Sequence, residues 1–205
     1  MRAIADQKFT LDEYFELEKR SEEKWEFWNG NVWNMSGASE PHESIVSNLL
    51  VHLRDKLGRG CRVYASNLKV AVPAFPPYRY PDVSVVCEER QLVKMGGLDV
   101  LTNPQMIIEV LSKSTEAFDR GDKFTYYKSI PSLTDYMLVA AERPYVTHFE
   151  KRNETEWINR DAAGFDGVLI LPTFGVDIFL SEIYLDIDFP ESKVIDPESE
   201  RPQIR

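Results

Sequence analysis

Between Pro41 and Leu57 the apolar residues Ile45, Val46, Leu49, Leu50, Leu53 and Leu57 recur at three- and four-residue spacings. That places them on one face of an amphipathic helix. Ser39 stands at its N-cap, Pro41 in its first turn, and Gly58 at its stop. Thr10 to about Arg20 reads as a shorter helix, with Glu13 three residues after Thr10 in the spacing of a capping box. From Lys24 to Met35, aromatic-rich segments flank Asn29-Gly30, a strong hairpin signal. Strand-like pieces follow at Arg62 to Val72, Asp82 to Cys87, Met106 to Leu111 and Tyr136 to Ala141. Loops with Pro73, Pro76 and Pro77, and with Gly96, Gly97 and Pro104, separate them. Thr115 to Ser129 reads as a helix stopped by Pro131. Residues 144–178 read as short β segments with turns near Asn153, Gly164 to Gly167, and Gly175. The expected fold is α/β, or α+β, with a central mixed β-sheet flanked by helices.

Two of these strands each carry one acid. Strand side chains alternate between faces. Asp82 therefore shares a face with Ser84 and Val86, and Glu109 shares one with Ile107 and Leu111. The other face is Val83 and Val85 in one strand, and Met106, Ile108 and Val110 in the other. Both strands are apolar on both sides, as expected for a sheet covered by helices. An uncompensated buried carboxylate is costly, so two of them call for a physical reason. Acids on adjacent strands can share a hard cation such as Mg²⁺, which takes oxygen ligands and keeps several waters. That chemistry suits metal-assisted hydrolysis of a phosphodiester.

Composition narrows the picture in three places. With 205 residues, 43% hydrophobic and 12% aromatic, the chain is long enough for one packed domain and short for two. We place that domain at 1–185, with an acidic, Pro-rich and mobile tail at 186–205. No apolar run approaches the roughly 18 residues of a membrane span, and the start lacks a secretory pattern, so a cytoplasmic location is expected. Cys61 and Cys87 form no CxxC pair and sit among strand-like residues, which favours buried free thiols over a disulfide or a zinc site. His42, His52 and His148 are scattered, which argues against a zinc cluster. The net charge of −10 and a pI near 4.9 run against a nucleic-acid-binding domain, where a pI above about 9 or a basic patch is usual.

Asp82 after Pro81, followed about 27 residues later by Glu109 in a second strand, resembles the PD-(D/E)XK nuclease superfamily. The run Ile107 to Thr115, then Asp119-Arg120-Gly121-Asp122-Lys123 and Tyr127, is similar to a family of small bacterial restriction endonucleases within it. Trp25-Glu26, Asn29-Gly30, His42 and Asp135-Tyr136 match that family too, and the likeness runs from about Lys8 to Leu185. The superfamily pattern puts a lysine two residues after the glutamate, but that position is Leu111 here. The family supplies the lysine from the following helix, which makes Lys123 the matching residue. The resemblance implies a restriction-endonuclease-like fold, a homodimer, DNA as substrate, and Mg²⁺ (with Mn²⁺ as the alternative) held by Asp82 and Glu109 near the Val110 carbonyl. It makes Lys123 the group that positions or helps deprotonate the attacking water. Glu26 enters as an additional ligand or a group behind the ligands, and His42 as a phosphate contact.

Structural alternatives stand beside these roles. Asp82 at a strand entry can be a turn residue, and Glu109 can form a structural ion pair with Lys123 or Arg120. Ser112, Ser114 and Thr115 read most simply as caps of the next helix. A nuclease fold with a degraded site that only binds, or a metal-dependent phosphodiesterase acting on small nucleotides, fits the acidic composition better than a DNA endonuclease does.

Overall fold

The computed structural model describes residues 2–3, 8–28, 30–35, 37–74, 77–112 and 116–189. The predicted tail therefore lies largely outside the described residues, as do Asn29, Lys113, Ser114 and Thr115. The chain opens with β1 (Arg2–Ala3) and α1 (Leu11–Arg20). Thr10 accepts from the Glu13 amide while the Glu13 carboxylate accepts from the Thr10 amide, so the expected capping box is present. The hairpin is β2 (Trp25–Trp28) and β3 (Asn31–Asn34), with Gly30 at φ 77° in its turn. β1 pairs with the far side of β3. α2 (Glu40–Leu57) follows, ended by Gly58 at φ 63°, where a side chain is strained. Ser39 sits at its N-cap but makes no side-chain capping bond.

The segment expected to be one strand from Arg62 to Val72 is two strands in different sheets. β4 (Arg62–Ala65) and β5 (Lys69–Ala71) are separated by a turn in which the Leu68 amide donates to the Ala65 carbonyl. After β6 (Tyr78–Arg79) and β7 (Val83–Val86), the stretch read as a Gly- and Pro-containing loop forms a second hairpin, β8 (Leu92–Met95) and β9 (Leu98–Leu101), turning on Gly96 and Gly97. β10 (Met106–Leu111) then leads into the helical segment 116–127. That segment comprises α3 (Glu116–Phe118), a π-helical turn over Asp119–Lys123, and α4 (Phe124–Tyr127). The remainder is β11 (Asp135–Ala140), β12 (Tyr145–Lys151), β13 (Trp157–Ala163), β14 (Val168–Leu171), β15 (Val176–Phe179) and a one-turn α5 (Leu180–Ile183).

The central sheet has six strands in the order β13-β12-β11-β10-β7-β4. It is mixed, because β10 and β11 run parallel while every other pair is antiparallel. The alternation of its two middle strands decides what covers each face. Val83, Val85, Met106, Ile108 and Val110 pack with Ile45, Leu49 and Leu53 of α2. Val86, Ile107 and Leu111 pack on the opposite side with Phe124, Tyr127 and Tyr136. Fully burying each large aliphatic side chain of α2 contributes about 1.5–3 kcal/mol. A third cluster around Tyr14, Val32, Tyr78, Tyr80 and Val100 ties α1 and the first hairpin to the four-stranded sheet β6-β5-β9-β8.

Cys61 and Cys87 correct a second expectation, since they form a disulfide. Arg62 faces Val86 in the β4–β7 ladder, so the two cysteines are the next cross-strand pair outward, brought together by register rather than by sequence spacing. No helix among the described residues is long and apolar enough to cross a membrane.

Candidate active site

Strand register brings the two acids together. Val83 faces Ile108 across the antiparallel β7–β10 pair, so Asp82 and Glu109 occupy the next facing positions. Asp82 Oδ2 accepts from the Val110 amide at 2.7 Å, capping the end of the β7 ladder. Both acids share the sheet face over which residues 116–127 fold back. They line one cleft of about 530 Å³ with His42, Asp119, Val110 and Lys123, and with Lys24 and Ser66 farther along its wall.

The helical segment delivers the cation. Lys123 Nζ lies 2.9 Å from Glu109 Oε1 and 3.2 Å from Asp119 Oδ1, with all three side chains 3–4% exposed. Tyr127 donates to the same Glu109 oxygen at 2.8 Å. Asp119, Lys123 and Tyr127 lie four residues apart, on one side of the helical segment, and the π-helical turn covers the first two. Isolated π turns recur at functional sites. The Tyr136 hydroxyl donates to the Asp119 carbonyl at 3.0 Å and anchors the start of that turn.

Charge and burial oppose one another here. Burial alone would strip the proton from Lys123, but Glu109, with Asp119 and the more distant Glu26, outweighs it and holds its pKa well above the ordinary lysine value. Lys123 is thus an ammonium. Burial pushes the Glu109 carboxyl up to about 8; the neighbouring Lys123 pulls against that rise, and the Asp82 and Asp119 charges add to it. Burial likewise keeps Tyr127 a neutral phenol, able to donate. His42, at the start of α2, places Nε2 3.2 Å from Asp82 Oδ2. Burial disfavours its charge, but the Asp82 contact prevails and raises its pKa.

The five residues singled out by sequence divide into two groups. Asp82, Glu109, Lys123 and His42 line the cleft. Glu26 does not: it accepts from the Tyr80 amide at 2.9 Å and lies 3.8 Å from Arg79 Nε, 3% exposed in the body of the protein. The structural alternative for Glu109, an ion pair with Lys123, is present as a contact, whereas Arg120 pairs with Glu116 instead. Asp119 was not singled out, although its position four residues before Lys123 puts it on the same helical side.

Among the described residues no group of three or more His, Cys, Asp or Glu side chains is arranged to hold a metal ion. The donor chemistry present is a two-carboxylate one. Val110 and His42 meet Asp82 at Oδ2, and Tyr127 and Lys123 meet Glu109 at Oε1. No donor among the described residues reaches Asp82 Oδ1 or Glu109 Oε2, which leaves two oxygens for a cation. Mg²⁺ suits such a site, because it is commonly bound through one or two carboxylates and completes its shell with water.

A family model described as Uma2, putative restriction endonuclease, matches residues 11–200. Two uncharacterized proteins of Synechocystis sp. are similar over most of their length. One, slr1290, is 33% identical over 89% of this chain and 94% of its own length; the other, sll1609, is 33% identical over 80% of this chain and 93% of its own. The fold resembles a crystal structure from Anabaena variabilis described as a putative nuclease belonging to DUF820. That match has a TM-score of 0.68 at 17% identity and covers 86% of this chain and 97% of that one.

Proposed function

For a chain that belongs to the Uma2 putative restriction endonuclease family, we propose the function of a Mg²⁺-dependent endonuclease that hydrolyses DNA phosphodiester bonds in the Asp82–Glu109 cleft. The observation that carries this reading is the pairing of Asp82 and Glu109 across β7 and β10 with the Lys123 ammonium against Glu109. Asp82 Oδ1, Glu109 Oε2 and the Val110 carbonyl are the donors for the cation, and Mn²⁺ can replace Mg²⁺. When bound, the ion lowers the pKa of a water and polarises a phosphoryl oxygen.

The chain's own residues supply the rest. Lys123, bracketed by two carboxylates, stays protonated, so it orients the attacking water and offsets charge on the phosphorus rather than removing a proton. Tyr127 fixes the Glu109 carboxylate from the other side. His42 sits behind Asp82 at the amino end of α2, where the helix dipole favours an anion. A homodimer presents two such clefts to the two strands of a duplex. Nicking of supercoiled plasmid in Mg²⁺ tests the reading. Asp82→Ala and Glu109→Ala are each expected to lose more than about a hundredfold in rate. Retention of activity in either variant refutes the assignment.

One observation favours a second reading. Glu22, Glu23, Glu43, Asp82, Glu109 and Asp119 line the cleft against Lys24, Lys123 and His42. An acid-rich wall repels a polyanion more than a small ester, so a phosphodiesterase acting on small nucleotides is the rival. It predicts turnover of a model phosphodiester without salt-sensitive DNA binding.

A further inference from the structure

The chain changes sheets just before Asp82. β6 ends at Arg79 in the four-stranded sheet, and β7 begins at Val83 in the central one. Asp82 therefore lies in the crossing Tyr80-Pro81-Asp82, outside the paired residues of both ladders. Where its carboxylate stands depends on what holds that crossing.

Two buried acids, one from α1 and one from β2, hold Tyr80. Glu26 accepts from its amide at 2.9 Å, and Glu18 Oε1 accepts from its phenol at 2.7 Å. Glu18 is itself fixed, because its other oxygen accepts from Lys69 Nζ at 2.6 Å and from the Tyr78 phenol. Lys69 also donates to the Tyr78 oxygen at 2.9 Å, and its ammonium lies 4.4 Å from the centre of that ring and 5.2 Å from that of Tyr80. All five side chains are buried. A buried ion pair gains little stability over apolar residues of the same volume, whereas a bonded polar network fixes geometry. This network takes no part in the chemistry of the cleft, yet Tyr80 lines that cleft together with Asp82.

We propose that Glu18, acting through the Tyr80 phenol, is a positioning residue for Asp82. It holds the crossing so that Asp82 Oδ2 meets the Val110 amide and Oδ1 is presented to the cation. Groups behind the ligands tune metal affinity in this way. The inference rests on the reading of Asp82 as a cation ligand and adds the residue that aims it.

The test uses Tyr80→Phe in the full chain, which removes the phenol oxygen and keeps the ring. Without metal, hydrogen exchange followed by NMR should speed about tenfold at the Val110 amide relative to the Ile108 amide of the same strand, the scale of one hydrogen bond to a charged acceptor. Mn²⁺ affinity measured by calorimetry should fall about ten- to a hundredfold. Ile45→Val, a core change beneath the other face of the sheet, lowers stability and should leave the exchange ratio and the affinity at wild type. Glu18→Leu/Lys69→Met removes the ion pair as a unit and should reproduce the shifts of Tyr80→Phe, with no further loss when the two are combined. A wild-type exchange ratio and affinity in Tyr80→Phe overturn the positioning role and leave Asp82 as a ligand. Equal shifts in Ile45→Val overturn it too, by reducing it to general stability. Absence of Mn²⁺ binding by the wild-type chain overturns the ligand reading and the inference with it.

Discussion

Lys123 joins helix to strand at the smallest scale, because its ammonium lies within ion-pair distance of both Glu109 on β10 and Asp119 on its own helical segment. Removing one member of a buried pair leaves the other charge without compensation. Above pH 8, where Glu109 is ionised, Lys123→Met is therefore expected to lower unfolding free energy by about 3–5 kcal/mol in urea titration, and the double variant Lys123→Met/Glu109→Gln to regain much of it. The Glu109 carboxyl, pushed up to about 8 by burial, must lose its proton before it can ligate a cation. Mn²⁺ affinity should rise as pH increases toward 8 and level off above it. Calorimetry in buffers of different ionisation enthalpy should show a proton released on binding near neutral pH. An affinity flat between pH 6 and 9 contradicts the assignment of Glu109 as ligand. The face each acid shares was legible in the sequence, since strand alternation assigns it directly. The partner of Glu26 was not, because Arg79 and the Tyr80 amide are tertiary neighbours that no local spacing signals.

At the scale of elements, local signals located both longer helices and the β2–β3 hairpin: the capping box of α1, the apolar spacing and Gly58 stop of α2, and Gly30 in the hairpin turn. Sequence reading missed the break between β4 and β5, although the polar pair Ser66-Asn67 marks a turn there. It also missed β8 and β9, whose residues are mostly exposed and so lack an alternating buried face. The disulfide escaped for another reason: Cys61 and Cys87 meet through the antiparallel register of β4 and β7, a long-range property. Closing a loop across a sequence separation of 26 is expected to contribute about 3 kcal/mol, so reductant should lower the urea midpoint of the wild-type chain and leave Cys61→Ala/Cys87→Ala unchanged. In the π-helical turn, Gly121 has open space where a Cβ would stand and no positive φ. Gly121→Ala should then stabilise by about 0.4–1 kcal/mol, read as a small rise in thermal midpoint.

Over the whole molecule, the sheet presents its two acids at one end of the β7–β10 pair. α2 covers one face and residues 116–127 the other. The class of fold follows from that layering and was legible from the order of elements. The cleft was less so, because it is assembled from the first hairpin, the amino end of α2, the β10 exit and the helical return, segments far apart in sequence. A net charge of −10 and an acid-rich cleft make the account depend on a divalent cation to receive a phosphate. DNA binding should accordingly be weak in chelator and strengthen with Ca²⁺ or Mg²⁺. The most direct check is isothermal titration of Mn²⁺ into the wild-type chain, Asp82→Ala and Glu109→Gln at one pH. Saturable binding to the wild type, lost in both variants while their folds persist, is the expected result. Binding undiminished in either variant, or absent from the wild type, contradicts it.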